Sequence, residues 1–309
     1  MAASSLFPKL PQDWTESKFV LNSSSADRSL TKDIFLRIYH KSKIETGRLL
    51  FVVHGQAEQS DRYQHLPFYL NQDTDAVALI DLPGHGKTPG IRGHIENYDQ
   101  YTSAAIAGLE KAKQWFASKD GFNTPPKQVH WLGHSMGGLI TLRTMIRQPN
   151  LQLTSVITSA PLIKVAMPVP ALKSLGGKLI EPLLGSLKLD NEIDGSLVSH
   201  DENVVNEYSL NPLNHHFVTP RFFVQTMREL DELQKYSGPF PYHWMLILPL
   251  ADQIVCWKTT FEFYQNMRMN SGLTKKINSF PGFYHESMNE IGKERAFVAI
   301  SNWLQGFPS

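Results

Sequence analysis

Residues Val129–Gly138 read VHWLGHSMGG, and this stretch decides the fold. Its first four residues form a short apolar run, as a buried strand would. A helical window, Met136–Arg147, opens before the stretch ends. Between the two lies a G-x-S-x-G pattern: Gly133, His134, Ser135, Met136, Gly137. A serine on a tight strand-to-helix turn points its Oγ out of the sheet, and small residues on either side let the backbone turn without striking its neighbours. The helix N-terminus behind it favours developing negative charge. At ordinary Gly and Ser frequencies the pattern arises by chance in roughly one chain in ten of this length. A strand before it and a helix after it make chance much rarer. Ser135 reads as a nucleophile.

On both sides of this turn the chain alternates apolar runs with helical windows. LLFVV (Leu49–Val53), AVALI (Ala76–Ile80), SVIT (Ser155–Thr158) and WMLIL (Trp244–Leu248) are continuously apolar, the pattern of parallel strands covered on both faces. Ile34, Leu36 and Ile38 alternate with other residues, as an edge or hairpin strand does, and KINSF (Lys276–Phe280) makes a weaker last strand. Further helical windows fall at Tyr98–Ser118, near Lys258–Met269, and at Glu294–Leu304. The alternation predicts an α/β fold with a doubly wound, mostly parallel sheet flanked by helices. From Ile163 to about Pro241 no apolar strand occurs, and the rhythm resumes at Trp244. One discontinuous core is therefore expected, residues 1–162 and 242–309, with an insertion at 163–241.

Composition removes several classes. The 309 residues carry 30 Lys+Arg against 29 Asp+Glu, a formal net charge of +1. No block of like charge occurs, so the counterion-displacing surface of a nucleic-acid binder is missing and no such partner is expected. The single cysteine, Cys256, excludes an internal disulfide and a Cys-based zinc cage, and reads as a small packing residue. The N-terminal MAASSLFPKLPQDW has no basic segment followed by a long apolar core, so no signal peptide is visible. The longest uncharged stretch, Tyr236–Ala251, is cut by Pro239, Pro241 and Pro249 and falls short of the roughly 18 apolar residues that span a bilayer. The expectation is a soluble, cytoplasmic protein.

A serine hydroxyl is inert without a base and an orienting carboxylate. In this architecture the chain order is Ser, then acid, then His. Asp252 lies just past WMLIL, in LADQIV, whereas the segment after SVIT offers only Ser-Ala-Pro-Leu. Of twelve histidines, only His285 lies beyond the last strand, in PGFYHE. Asp252 and His285 are the expected acid and base. Glu286 and Glu290 are read as facing solvent or capping the last helix. Two donors should stabilise the oxyanion: the N–H of Met136, next to the nucleophile, and the N–H of Gln56, in the loop after LLFVV. His54 and His134 are read as scaffold residues that shape these turns.

HGQAEQSDRY (His54–Tyr63), DLPGHGKTPGIRGH (Asp81–His94), GHSMGG, the ADQIV loop and GFYHE together resemble the monoacylglycerol lipase and lysophospholipase group of α/β-hydrolases. The resemblance spans about Ile34 to Leu304. It implies an α/β-hydrolase fold, a Ser135–Asp252–His285 triad, an oxyanion hole at Gln56 and Met136, and a mainly helical cap at the insertion, with no metal or organic cofactor. Departures from the group's pattern are Ala57 and Pro249 where glycines are usual, Gln59 for a histidine, and Ala104 and Asn211 for acidic residues.

Within the insertion Leu172, Leu175, Leu179, Leu183 and Leu187 recur at spacings of three and four, with Lys173, Lys178 and Lys188 among them. Such a face packs a cap onto its core, lines an acyl tunnel, or touches a lipid surface transiently. The expected activity is hydrolysis of a lipid monoester, monoacylglycerol first and lysophospholipid second. General carboxylesterase activity ranks behind these. An aminopeptidase of related fold would use Asp201, Glu202 and Glu207 for a substrate ammonium. A non-catalytic ligand-binding protein is the least favoured reading.

Overall fold

The computed structural model describes residues 7–21, 33–166 and 181–307. Eight strands form one sheet: β1 (Trp14–Leu21), β2 (Ile34–Lys41), β3 (Arg48–Val53), β4 (Ala76–Ile80), β5 (Gln128–His134), β6 (Ser155–Ser159), and, after a two-residue pair β7 (Leu189–Asp190) and β8 (Phe217–Val218), β9 (His243–Pro249) and β10 (Lys275–Phe280). The order across the large sheet is β1-β2-β4-β3-β5-β6-β9-β10. β1, β2 and β4 pair antiparallel and the rest are parallel. The helices are α1 (Leu66–Tyr69), α2 (Asp99–Ala117), α3 (Met136–Arg147), α4 (Glu202–Leu210), α5 (Pro220–Lys235), α6 (Trp257–Asn266) and α7 (Glu294–Gln305).

The apolar runs owe their continuity to burial on two faces. Leu49, Phe51 and Val53 of β3 enter one layer with Leu109 and Phe116 of α2 and Leu139 and Met145 of α3. Leu50 and Val52 enter the other layer with Phe297, Ile300 and Trp303 of α7. Successive strand residues point to opposite faces, so a strand covered on both sides must be apolar throughout. The alternating Ile34, Leu36 and Ile38 all enter the first layer, and β2 is the inner arm of a hairpin with β1. β1 itself, WTESKFVL, has no place in the sequence reading. It is an antiparallel edge strand with Thr15, Lys18 and Val20 exposed and only Trp14 buried, and its polar residues hide the pattern.

Between β6 and β9 the described residues hold β7, β8, α4 and α5, with no strand longer than two residues. α5 is not detached from the core. Its Phe222, Leu230 and Leu233 join the first layer, and its Glu229 accepts a 2.7 Å bond from Nε of the buried Arg143 in α3. Leu183 is 88% exposed, while Leu172, Leu175 and Leu179 lie outside the described residues. No helix among the described residues is long and apolar enough to cross a membrane.

In the first layer fully buried Trp244 of β9 donates its indole N–H to Thr158 Oγ1 of the adjacent β6 at 2.9 Å. Thr158→Val keeps the shape but strands that donor. It is expected to cost about 1–3 kcal/mol in urea unfolding; a midpoint equal to the parent's would show that the bond contributes nothing.

Candidate active site

Parallel pairing aligns the carboxyl ends of the strands, with Val53 opposite Gly133 and Phe280 opposite Pro249. The loops that follow β3, β5, β9 and β10 therefore gather at one edge, the usual place for a site in such a sheet. They carry Gln56, Ser135, Asp252 and His285 respectively.

Ser135 sits between β5 and α3 at φ 52°, ψ −118°, a conformation that costs a non-glycine residue free energy. Its N–H donates to the Ser159 carbonyl at 2.9 Å, and its own carbonyl accepts from Leu139 and Leu162. The flanking glycines are required sterically. A Cβ on Gly133 would overlap Thr141 Oγ1 and the Gly137 carbonyl, and one on Gly137 would overlap the carbonyl of Val53. A third, on Gly138, would come within 2.7 Å of Pro161. The turn is thus wedged between β3 and the segment after β6.

Asp252 Oδ1 accepts the N–H groups of Ile254 and Val255 at 2.8 and 2.9 Å, and Oδ2 lies 2.7 Å from His285 Nδ1. A carboxylate only accepts, so Nδ1 carries the proton and Nε2 presents its lone pair. The two loops are knitted by backbone bonds from Leu250 N–H to Phe280 and from Ala251 N–H to Phe283. Burial alone would lower the His285 pKa. The charge of Asp252, its hydrogen bond, and the charges of Glu286 and Glu58 outweigh that, and the net shift is upward from 6.5.

The loop after β3 is pinned from below. His54 Nδ1–H donates to the Gly55 carbonyl at 2.7 Å and its Nε2 accepts the Leu82 N–H, so both nitrogens are engaged. Glu58 Oε1 accepts from Gly55 N–H at 2.5 Å and from Tyr63 Oη at 2.7 Å. Ala57, where the related pattern has glycine, adopts φ 66°. The side chain of Gln56 is held by the Phe217 carbonyl and by Asn191. Met136 opens α3, and the first amide of a helix has no intrahelical acceptor. His134 lies beside His285 with ring centroids 4.7 Å apart. Burial, then the neighbouring imidazole, push it down to about 3, so it stays neutral.

Ser135, His285, Gln56 and Glu286 share a cavity of about 30 Å³ with Ile193, Val198, Tyr208 and Ile254. That volume holds about one water. A larger open groove, about 560 Å³, lies between β10 and α7 and touches none of the candidate residues.

Two carboxylates behave differently from the expectation. Glu286 and Glu290 are 4% and 1% exposed, neither in solvent nor capping α7. Glu286 pairs with Arg62, which also binds Glu207 and, at 3.1 Å, Glu58. Arg62 is completely buried and its guanidinium lies 5.1 Å from the Tyr208 ring centre. The segment that contains Arg62 is legible in the sequence; its partners, 145 and 224 positions away, are not. Of the other departures, Ala104 is buried in α2, and Asn211 caps α4 and donates to Glu207 at 2.7 Å.

This sheet order, with a strained serine after β5 and an Asp–His pair after β9 and β10, defines an α/β-hydrolase. More particularly, the chain belongs to the family described as serine aminopeptidase, S33, which matches residues 45–292. It is 29% identical over 287 residues to an uncharacterized abhydrolase domain-containing protein of Dictyostelium discoideum, covering 92% of this chain but 29% of that much longer protein. It is 26% identical over 252 residues to phospholipase YtpA of Bacillus subtilis (81% and 92% of the two chains). It is 26% identical over 271 residues to the monoglyceride lipase of Rattus norvegicus (86% and 85%). A crystal structure of the Paleococcus ferrophilus monoacylglycerol lipase shares the fold at a TM-score of 0.72 and 23% identity, over 94% of this chain and 98% of that one. The resemblance to the monoacylglycerol lipase group holds along most of the chain.

Two outcomes test the geometry. Ser135→Gly relieves the strained turn and is expected to stabilise the fold by about 1 kcal/mol; a lower urea midpoint would show that no strain is stored there. The raised pKa of His285 has a definite sign: the imidazole is protonated, and unable to accept a proton, below a pH above 6.5. The acid limb of kcat/KM is expected above pH 6.5, and Asp252→Asn should move it down while the rate falls about 10⁴-fold.

Proposed function

We propose that this chain is a serine carboxylester hydrolase acting on lipid monoesters, with monoacylglycerol as the foremost substrate and lysophospholipid second. The observation that carries the reading is the 2.7 Å His285–Asp252 bond in the cavity of Ser135, in a chain similar to a monoglyceride lipase over most of its length.

Ser135 Oγ attacks the ester carbonyl as His285 Nε2 takes its proton, forming a tetrahedral oxyanion beside the N–H groups of Gln56 and Met136. The C–O bond to the alcohol then breaks, and His285 gives the proton to the leaving glycerol oxygen. Water, deprotonated by the same nitrogen, attacks the acyl-enzyme; the fatty acid leaves and the proton returns to Ser135. Asp252 fixes the tautomer and stabilises the imidazolium that forms twice in each cycle. Each step uses side chains and backbone of this chain alone.

In this reading residues 163–241 are a cap over the site. The cavity is far smaller than an acyl chain, so substrate binding requires the cap side to part. Leu183, Leu187, Leu210 and Phe217 are exposed apolar residues of this segment, and Lys188 lies over the Phe217 ring. That composition suits transient contact of a cytoplasmic enzyme with a lipid surface. Aminopeptidase chemistry is disfavoured because Glu207 is already paired with Arg62, and Asp201 accepts the Asn203 N–H at the start of α4.

One panel of acyl glycerols, lysophospholipids, short soluble esters and aminoacyl amides ranks the substrates. Monoacylglycerol is expected to give the highest kcat/KM; a clear optimum on aminoacyl amides would reverse the assignment. Ser135→Ala should abolish labelling by a fluorophosphonate and lower turnover by about 10⁶-fold. Retained labelling overturns the nucleophile.

A further inference from the structure

Asp252 is fixed by two backbone amides, but His285 lies in an irregular segment between β10 and α7. A base on such a segment needs its backbone held from outside, because small displacements in an active site are costly. The residues immediately before and after it supply the holds. Tyr284 N–H donates to Glu290 Oε2 at 3.0 Å, and Glu286 N–H donates to the Val198 carbonyl at 2.9 Å.

Glu290 is where these holds converge. Its Oε1 accepts the N–H of His200 at 2.9 Å, the N–H of Ile291 at 2.7 Å, and the Ser199 hydroxyl at 3.3 Å. Its Oε2, besides taking Tyr284, lies 3.0 Å from His200 Nδ1. The Ser199 hydroxyl also reaches the Asn289 carbonyl at 3.0 Å and accepts the Asp201 N–H. The His200 ring stacks on Tyr284 with centroids 3.7 Å apart. Burial would raise the Glu290 pKa, but the amides of Tyr284, His200 and Ile291 and the His200 ring outweigh it and hold the carboxyl below its ordinary value. A carboxylate this buried, with donors on both oxygens, fixes the relative position of every segment that donates to it. Those segments are the loop that carries His285 and Ser199–His200 just before α4, next to Val198, whose carbonyl takes the Glu286 N–H.

We propose that Glu290 is a positioning residue for the base: it clamps the His285 loop to residues 198–200, so that His285 keeps its bond to Asp252 only while that segment is seated. The proposal rests on the reading of Ser135, Asp252 and His285 as the catalytic set. It makes the segment before α4 part of the mounting of the catalytic histidine and not merely a cover over the cavity. It also explains why two glutamates sit buried on either side of Met288, where surface residues would suffice for a loop with no such duty.

Glu290→Gln keeps the volume but turns an NH₂ toward groups that are themselves donors. With the full-length protein, kcat per Ser135 titrated by a fluorophosphonate is expected to fall about 100-fold, with KM changed by less than about threefold. The groups facing His285 are Asp252, Glu286, Glu58 and the ring of His134. Loosening the Asp252 bond lets burial dominate, so the acid limb moves to lower pH. The downfield proton resonance of His285 Nδ1–H, assigned by its loss in His285→Ala, should broaden or vanish. Ser199→Ala, which removes one strut, should shift all three readouts in the same direction with a smaller fall in kcat, and it decides the matter if Glu290→Gln does not fold. A kcat per titrated site within about threefold of the parent, with unmoved acid limb and intact resonance, overturns the proposal, since a merely structural role changes only the folded fraction. If the parent hydrolyses no ester, the catalytic reading fails by itself. The resonance still judges the clamp: retained in both variants, it refutes it; lost, it supports it.

Discussion

A guanidinium with no exposed surface must be paired where it stands. Arg62 draws its partners from its own segment and two distant ones: Glu58 four residues before it, Glu207 and the Tyr208 ring on α4, and Glu286 beside His285. Removing Arg62 itself would leave the buried Glu58 and Glu286 uncompensated, at a cost of about 3–5 kcal/mol. The loop bearing Gln56, helix α4 and the loop bearing His285 therefore all converge on one side chain. The cluster is also unbalanced, with three carboxylates to one cation. Two of them, Glu58 and Glu286, add to Asp252 in raising the pKa of His285. The same interaction that gathers these segments raises the pKa of His285.

How much of this could be read in advance follows from the range of the forces involved. The inner strands were legible because burial on both faces writes itself into consecutive residues, as in LLFVV. Strand β1 escaped because one of its faces meets water and Glu16 and Lys18 sit on it, paired with each other. Ser135 was legible because its constraint is local: the overlaps that exclude a Cβ at Gly133 arise within the turn and the helix that follows. Chain order and position after the strands single out Asp252 and His285, which the structure places 2.7 Å apart. Glu286 and Glu290 were misplaced for a physical reason. Carboxylates are exposed unless paired, and their partners, Arg62 and the Ser199–His200 segment, are far away in sequence. The chain of residues 167–180, with Leu172, Leu175 and Leu179, falls outside what the structure describes.

Packing around Ser135 shows why the glycines and the strain coexist. The amide of Ser135 is held by Ser159 and its carbonyl by Leu139 and Leu162. Three backbone bonds thus over-determine one residue, and a left-handed φ survives only where surroundings dictate it. The Gly137 backbone then approaches the carbonyls of Val53 and His54 more closely than any side chain would permit. That approach sets the turn after β5 directly against the end of β3, so the strained serine and the glycines beside it answer one steric demand.

The attachments of α4 and α5 differ in kind, and the difference locates the seam along which the cavity can open. α5 is anchored by Phe222, Leu230 and Leu233 in the main core and by the buried Arg143–Glu229 pair. α4 has only a satellite cluster of Val198, Val204 and Tyr208. Burying one such side chain contributes about 1.5–3 kcal/mol, so separating α4 from the core side costs far less apolar contact than separating α5. Its polar link is also the most readily exchanged for water. The Glu207 side chain is 18% exposed, while Glu58 and Glu286 are 3% and 5% exposed. If Glu207 leaves, it can be hydrated, and Arg62 keeps two carboxylates and does not become an unpaired buried charge. Tyr208, which lines the cavity beside Ser135, lies on that same seam, whereas Val198 stays bound through its carbonyl to the Glu286 N–H. The charge surplus around Arg62 therefore serves a second purpose: it lets one partner go without stranding the cation.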